Sequence, residues 1–268
     1  MWPVSEHRGT DWAAAARREA RIGHAIEAHD VIGSTNDRAR ELLADPVGEG
    51  ILVVAETQRA GRGRRGRTWS SAPGRNLSVS VGLRPRIESS RAWQLGLAVS
   101  LAAREACESV APTGLKWPND LVAADGRKVG GILVETALEG DRLAAAIVGI
   151  GINVNWRREE MPAEISATAT SLGEQGGRPV DRVELLRALA GALEREVDAV
   201  EEGRSPLDAY RAACVTLGSL VAVDTPAGRI EGPAVAIDEA GALVVETASG
   251  PVAVTSGEVA AVRAVVPA

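Results

Sequence analysis

Lys128-Val129-Gly130-Gly131-Ile132-Leu133-Val134-Glu135-Thr136 is followed, across the turn Glu139-Gly140-Asp141, by the apolar run from Leu143 to Gly149. Two apolar runs of strand length on either side of a glycine-containing turn predict a β-hairpin, with strands over Ile132 to Thr136 and Leu143 to Gly149. Upstream, Leu77, Val79, Val81 and Leu83 alternate with Ser78, Ser80 and Gly82. That is the period of a strand with one face on the core. Ile51 to Glu56 reads as a further, buried strand. Helical spacing appears in Trp93, Leu97 and Leu101 through Cys107, and again from the N-cap Asp181, with Glu184 three residues on, to about Val200. A short helix is expected over Asp37 to Leu43, and another around Trp12 to Arg21. From Ser219 the text changes to short Val/Ile/Ala runs separated by Pro226-Ala227-Gly228, Glu239-Ala240-Gly241 and Ser249-Gly250-Pro251. Small strands joined by tight turns are expected there. The predicted fold is α+β: a mixed or antiparallel sheet with packed helices, then a small C-terminal β-barrel. Boundaries are set at 1–24 for an N-terminal tail or helix, 25–215 for the main domain and 216–268 for the barrel.

Composition narrows the class. The chain has 268 residues, 45% apolar and 25% charged, close to the soluble globular average. Phe is absent and Tyr occurs once, so the core must be aliphatic with six Trp. A net charge of −6 argues against a protein whose main task is holding nucleic acid. Cys107 and Cys214 have no metal-type spacing and fit a reduced interior. No run approaches membrane-span length and the N-terminus has no apolar signal core, so a cytoplasmic protein that contacts no membrane is expected.

Thirty residues are basic, and only Lys116 and Lys128 are lysine. A chain that uses arginine for generic surface cations retains lysine where a compact ammonium is needed. Lys116 stands in Leu115-Lys116-Trp117-Pro118-Asn119-Asp120, and Lys128 stands against paired glycines, which let backbone approach a ligand. Gly61-Arg62-Gly63-Arg64-Arg65-Gly66-Arg67 matches G-x-G-x-x-G formally. The following Thr68-Trp69-Ser70-Ser71-Ala72-Pro73-Gly74 cannot open the helix of a dinucleotide fold, so that reading fails. Guanidinium groups this dense repel one another unless an anion such as phosphate sits among them or the loop is disordered and solvated. Ser34-Thr35-Asn36 before a helix is polar but also ordinary capping sequence. Gly149-Ile150-Gly151-Ile152-Asn153-Val154-Asn155 closes a strand with glycines and amides suited to a polar heterocycle.

Taken in order, Ser34-Thr35-Asn36, Gln58 with Gly61 to Arg67, Lys116 to Asp120, Lys128 to Leu133, Gly151-Ile152-Asn153 and Ala169-Thr170-Ser171-Leu172 resemble the biotin protein ligases. The resemblance runs from about residue 30 to the C-terminus. It implies a class II synthetase-like ligase domain, a C-terminal SH3-like barrel and no N-terminal winged-helix domain. Arg59 and Val129-Gly130 depart from the commoner pattern without removing a contact. The implied chemistry is activation of biotin by ATP to biotinyl-5′-AMP, then transfer to a lysine of a biotin carboxyl carrier protein domain of a carboxylase. By resemblance Lys128, Arg64 and Lys116 are the catalytic cations. Biotin would be held by Ser34, Thr35, Asn36, Gln58, Arg62, Gly63, Arg64, Lys128, Gly131 and Leu133. ATP and the adenylate would meet Arg62, Arg64, Trp69, Lys116, Asn119, Asp120, Lys128 and Asn153, with Asp120 toward Mg²⁺. No DNA partner is expected, and a homodimer is left open.

Two rivals stand beside this reading. A lipoate or octanoate ligase would share the fold and chemistry, and a non-catalytic nucleic-acid module would use the arginine loop as a phosphate stripe with steep salt dependence. A Ser-His-Asp hydrolase has no support, because His7, His24 and His29 all precede the first motif.

Overall fold

The computed structural model describes residues 10–264. Chain order runs β1 (Ile26–Ile32), α1 (Thr35–Leu43), β2 (Leu52–Gln58), β3 (Leu77–Leu83), α2 (Trp93–Glu108), β4 (Thr113–Lys116), β5 (Asp120–Ala123), β6 (Lys128–Glu139) and β7 (Arg142–Ile152). Then come α3 (Ala163–Ser166), α4 (Leu172–Gly176), α5 (Arg182–Glu201) and α6 (Leu207–Ala213), followed by β8 (Ser219–Thr225), β9 (Gly228–Ile237), β10 (Leu243–Thr247), β11 (Gly250–Val254) and β12 (Glu258–Ala264).

The β6–β7 hairpin forms as its turn and apolar runs predict, and is longer than they are. Its glycines stay in the ladder, with Gly131 opposite Gly151 and Leu133 opposite Gly149. Around it the seven strands lie in the order β1-β2-β3-β7-β6-β5-β4. Only β1 and β2 pair in parallel. The result is the mixed sheet expected. Leu77, Val79, Val81, Ile132, Val148 and Ile150 join one core with Leu97, Leu101, Leu186 and Leu189 of α2 and α5. The Asp181 carboxylate caps α5 as its sequence predicts, accepting from the N–H groups of Val183 and Glu184.

The alternation in β3 predicts one buried face, yet all seven residues are buried. The second face is covered by α1, whose Ala39 and Leu43 pack with Val53 and Ile147. Gly82 permits that approach, since a Cβ there would stand 2.9 Å from both Ala39 O and Leu43 Cβ. Ser78 and Ser80 are therefore interior groups.

The helix expected over Trp12 to Arg21 is reduced to one 3₁₀ turn, Trp12–Ala15. Beyond it the chain passes through turns along α5, where tertiary ion pairs outweigh helix propensity. Arg17 pairs with Glu194 at 2.8 Å, and Arg21 reaches Asp198 at 3.1 Å and Glu201 at 2.6 Å. Trp12 and Ile22 are buried in the main core. Residues 1–9, including His7, lie outside the described residues. His24 precedes β1 and His29 lies on it.

At the C-terminus a five-stranded antiparallel sheet ordered β11-β10-β9-β8-β12 forms the small barrel, with its turns where Pro, Gly and Ser predict them. It is tied to the main sheet through β4 and the segment after it. Trp117 N donates to Thr216 Oγ1 at 2.9 Å and Trp117 Nε1 donates to Gly241 O at 3.2 Å.

One buried ion pair clamps the N-terminal segment to the sheet. Arg182 meets Glu56 in bidentate fashion at 2.7 and 3.0 Å, with side-chain exposures of 9% and 15%. Trp12 Nε1 also donates to Glu56, at 3.2 Å, and the Arg182 guanidinium stacks 4.9 Å from the Trp12 ring centre. Burial pushes the Glu56 carboxyl up, and Arg182 together with the Gly74 N–H and the Trp12 indole more than reverses this, leaving it below the ordinary value. A depressed folded-state pKa gives stability that is present above the unfolded value and lost as pH falls through the folded one. Removing one partner strands a buried charge, so Arg182→Ala is expected to cost about 3 kcal/mol in urea unfolding at neutral pH. Glu56→Gln is expected to flatten the loss of stability below the ordinary carboxylate range. An unchanged urea midpoint in Arg182→Ala would refute the clamp.

Candidate active site

The cavity lies on the α1 side of the sheet, and its floor is made of missing side chains. Gly131, Gly149 and Gly151 project the same way from β6 and β7, as do Leu133 and Ser80. A Cβ on Gly149 would run into the Asn36 amide, and one on Gly151 into the Trp69 indole. A Cβ on Gly131 would stand 3.2 Å from Lys128 Nζ. The space so kept is a cavity of about 360 Å³. All of the residues singled out from the sequence line it: Ser34, Thr35, Asn36, Gln58, Arg62, Gly63, Arg64, Trp69, Lys116, Asn119, Asp120, Lys128, Gly131, Leu133 and Asn153.

At one end the cavity is polar and uncharged. Thr35 N donates to Gln58 Oε1 at 2.9 Å, with Thr35 Oγ1 also 3.0 Å from that oxygen. Ser80 Oγ lies 2.7 Å from Thr35 Oγ1 and 2.6 Å from Asn36 Oδ1. Asn36 Nδ2 donates to Glu135 Oε2 at 2.7 Å. The Ser34-Thr35-Asn36 turn thus does more than begin a helix: the Ser34 side chain makes no capping bond, and all three residues are buried. Ser80 and Glu135 escaped the sequence reading. The available signal was a pair of serines inside an otherwise aliphatic strand.

The other end collects cations. Lys128, at the first residue of β6, bonds Asp120 Oδ1 at 2.6 Å and sits 5.8 Å from the Trp69 ring centre. Lys116 ends β4 opposite Asp120 in the β4–β5 hairpin. Among the described residues no carboxylate pairs with the Lys116 ammonium within ion-pair distance. Burial holds it below the ordinary lysine value; Asp120 acts against that and Lys128 adds to it. Arg64 is likewise lowered, first by burial, and its Nη1 lies 3.5 Å from Asn119 Oδ1. Asn119 is held in register by reciprocal bonds with Ile132, at 2.6 and 2.9 Å. Asn153 is buried and its amide donates to Thr170 O at 3.1 Å.

The arginine loop is not the unpaired cluster its composition suggests. Arg62 is bidentate to Asp37 at 2.6 and 2.8 Å, Arg65 donates to Asp224 O at 2.8 Å, and Arg67 pairs with Glu258. Groups on α1 and the barrel partner three of the four guanidinium groups, and all four arginines line the cavity, Arg64 meeting Asn119 across it. Asp37 and Glu258 were not anticipated. With Gly257 and Val259, Glu258 brings the barrel to the cavity wall.

Among the described residues no group of three or more His, Cys, Asp or Glu side chains is placed to hold a metal. The two carboxylates at the cavity are both engaged, Asp120 with one oxygen on Lys128 and Glu258 on Arg67. Such a site suits a magnesium ion that arrives on a polyphosphate, which needs only one or two protein carboxylates.

The site thus combines a glycine-floored sheet, a cavity polar at one end and cationic at the other, and a C-terminal barrel that reaches its wall. Residues 28–153 match the biotin/lipoate A/B protein ligase family, and residues 216–261 match the biotin protein ligase C-terminal domain. The chain is 36% identical over 233 residues to the bifunctional ligase/repressor BirA of Bacillus subtilis, spanning 85% of this chain and 71% of that protein. It is 35% identical over 249 residues to the biotin–[acetyl-CoA-carboxylase] ligase of Mycobacterium tuberculosis, 87% of this chain and 89% of that one. The structure of the biotin protein ligase from Aquifex aeolicus in complex with biotin and ATP superposes with a TM-score of 0.75 at 34% identity, covering 90% of this chain and 99% of that chain. The chain belongs to the biotin/lipoate A/B protein ligase family and, with the C-terminal domain that accompanies it, to the biotin protein ligases. Among the described residues no helix is long and apolar enough to cross a membrane.

With only two lysines in the chain, the electrostatics of Lys116 can be read directly. Competitive acetylation resolved by peptide mass is expected to give Lys116 a half-reaction pH below that of a free lysine. Asp120→Asn should lower it further, since Asp120 opposes the shift. A Lys116 that titrates like free lysine would contradict this account of its burial.

Proposed function

We propose that this chain condenses biotin with ATP to biotinyl-5′-AMP and transfers the biotinyl group to one lysine of a biotin carboxyl carrier protein domain. The observation that carries the reading is the convergence on one cavity of a hydrogen-bonding end and a cationic end, where Lys116, Lys128 and Arg64 meet. The first suits a cyclic urea, the second a carboxylate and phosphates. A dithiolane or an alkyl chain would leave the Gln58 Nε2 donor and the free lone pairs of this polar end without a partner, which argues against lipoate or octanoate.

In the first step a biotin carboxylate oxygen bonds the α-phosphorus while the bond to the β-phosphate breaks and pyrophosphate leaves. In the second, the carrier amine bonds the acyl carbon, AMP leaves and the amine loses a proton. Negative charge gathers at the phosphorus in the first step, so cations fixed beforehand lower the barrier. Lys128 is such a cation, set beside Gly131 where no side chain intervenes, and its compact ammonium fits between two oxygen groups. Gly131 and Leu133 line the apolar part of the biotin site, and Ser34 and Gly63 its rim. Lys116, Asn119 and Asp120 would face the polyphosphate, and Asp120 would offer a carboxylate oxygen to a Mg²⁺ bound to it, which would supply further positive charge there. Arg64 covers the carboxyl-phosphate junction, with Trp69 beside it and Asn153 toward the adenine. Arg62, docked on Asp37, holds the loop at the biotin end.

Biotin-dependent exchange of pyrophosphate into ATP is the test. Exchange supported by lipoate or octanoate but not by biotin would transfer the assignment to that class. Lys128→Arg keeps the charge and changes its shape, so exchange is expected to fall by about a hundredfold or more with the thermal transition unchanged. Exchange at the parental rate in a folded Lys128→Arg protein would remove Lys128 from its role.

A further inference from the structure

We infer that the folded chain is refractory to the acyl intermediate it forms: it presents biotinyl-AMP with no side-chain nucleophile that can be stably acylated, so the biotinyl group is kept for the acceptor. The inference rests on the functional reading above and goes beyond it, because a ligase can make an adenylate and still label itself.

An acyl adenylate is consumed by any accessible amine. The nitrogen lone pair bonds the acyl carbon, the carbon–oxygen bond to the phosphate breaks, AMP leaves and the amine gives a proton to water. Thiolates and phenolates react in the same sense. The first surface an escaping adenylate meets is that of the enzyme, so the chain's own nucleophiles matter. They are few and withdrawn. Side-chain amines are limited to Lys116 and Lys128, both at the cavity, and the other cationic side chains are arginines, whose guanidinium stays protonated and has no lone pair to offer. Cys107 and Cys214 are both buried, and burial pushes the first thiol up to about 12 and the second in the same direction. A buried thiol kept from ionising is inert. Tyr210, the single phenol, is fully buried, is likewise raised by burial, and donates to Pro118 O at 3.3 Å. None of the residues outside 10–264 is Lys, Cys or Tyr. The three imidazoles would carry the group only as acyl-imidazoles, which water cleaves.

Within the cavity the two amines are restrained in different ways. Lys128 donates to Asp120 Oδ1 at 2.6 Å, and an ammonium engaged so has no lone pair. Lys116 has the stronger claim, since burial favours its neutral form. The phosphate of a seated adenylate opposes that by restoring its charge. Its position is also fixed, because the adjoining Trp117 is tied to the barrel by bonds to Thr216 Oγ1 and Gly241 O. Lys116 is thereby held on the nucleotide side of the junction, away from the acyl carbon.

The experiment adds synthetic biotinyl-AMP, without carrier protein and with Nα-acetyl-lysine as internal control, to folded protein and to protein in urea, and maps acylation by peptide mass. The N-terminal amine falls on its own peptide and is scored apart. Folded wild-type protein is expected to carry no biotinyl group on any side chain, whereas in urea both Lys116 and Lys128 are acylated. Arg59→Lys installs an amine beside the cavity, at an exposed position one residue beyond Gln58, and should gain one biotinyl group there while folded. Acylation of Lys116 or Lys128 in the folded wild-type protein overturns the inference. So does an Arg59→Lys protein that stays unmodified while the acetyl-lysine beside it is acylated, because the missing amines would then not be what protects the chain. Biotin-dependent pyrophosphate exchange, measured on the same wild-type preparation, separates the two claims: its absence overturns the functional reading, while the acylation map, made with added adenylate, is read independently of it.

Discussion

A strand pair that is fully packed on one face and bare on the other is the constraint on which the site depends. Along β6 and β7, Ile132, Val148 and Ile150 anchor the hairpin in the core, while Gly131, Gly149 and Gly151 leave the opposite surface open. Glycine in a strand costs conformational entropy, and here the losses are offset by the unbroken ladder and by the apolar partners on the other face. Three functional side chains use the room. Asn36 lies over Gly149, Trp69 over Gly151 and the Lys128 ammonium beside Gly131. A methyl group at 149 or 151 would displace the amide or the indole, and one at 131 would crowd the ammonium, so all three positions depend on one backbone feature.

Charge type is sorted over this floor in a way the chemistry of the two cations explains. Arginine's planar fork suits protein carboxylates, and Arg62 on Asp37, Arg182 on Glu56 and Arg67 on Glu258 are used so. The lysines, compact and strongly hydrated, are both at the cavity. Lys116 and Lys128 repel each other, and Asp120, bonded to Lys128 and paired across the hairpin with Lys116, is the carboxylate that moderates this. An incoming polyanion would relieve the remaining repulsion, which is how a site can be poised for ATP without being rigidly complementary to it.

Local signals in the sequence were enough for the central hairpin, α2, α5 and the barrel turns, because each rests on periodicity, a cap or a glycine. They failed where tertiary partners decide. Strand β1 reads Ile26-Glu27-Ala28-His29-Asp30-Val31-Ile32, too polar to stand out, and becomes a strand because β2 offers a parallel edge. The N-terminal helix is lost to ion pairs with α5 more than 170 residues away in sequence. The site residues were legible as motifs, and their convergence on one cavity follows from the pairing of β3, β7, β6, β5 and β4. What motifs could not reveal are the partners that do not touch a ligand: Ser80 and Glu135 behind Asn36, Asp37 behind Arg62, Glu258 behind Arg67. Such residues are recognisable only once distances exist, since a glutamate in an exposed hairpin and one that orients a buried amide are spelled alike.

The barrel's place in this arrangement follows from how Lys116 is held. Its neighbour Trp117 is buried and bonded at both nitrogens to residues beyond 215, Thr216 through the main chain and Gly241 through the indole. Tyr210 adds a bond from its hydroxyl to Pro118 O at 3.3 Å, and Arg211 spans from α6 to Ile237 O at 2.8 and 2.6 Å. The short β4–β5 hairpin has only four residues in each strand, and β4 is the edge strand of the sheet. Docking onto the barrel supplies the rigidity that a half-buried ammonium requires, because a cation free to swing into water would gain hydration and leave the cavity. At the opposite wall the same barrel takes Arg65 and Arg67 of the loop through Asp224 O and Glu258. The C-terminal module therefore braces the nucleotide end of the cavity from two sides, while α1 and β3 brace the uncharged end, and the glycine floor is the surface both ends share.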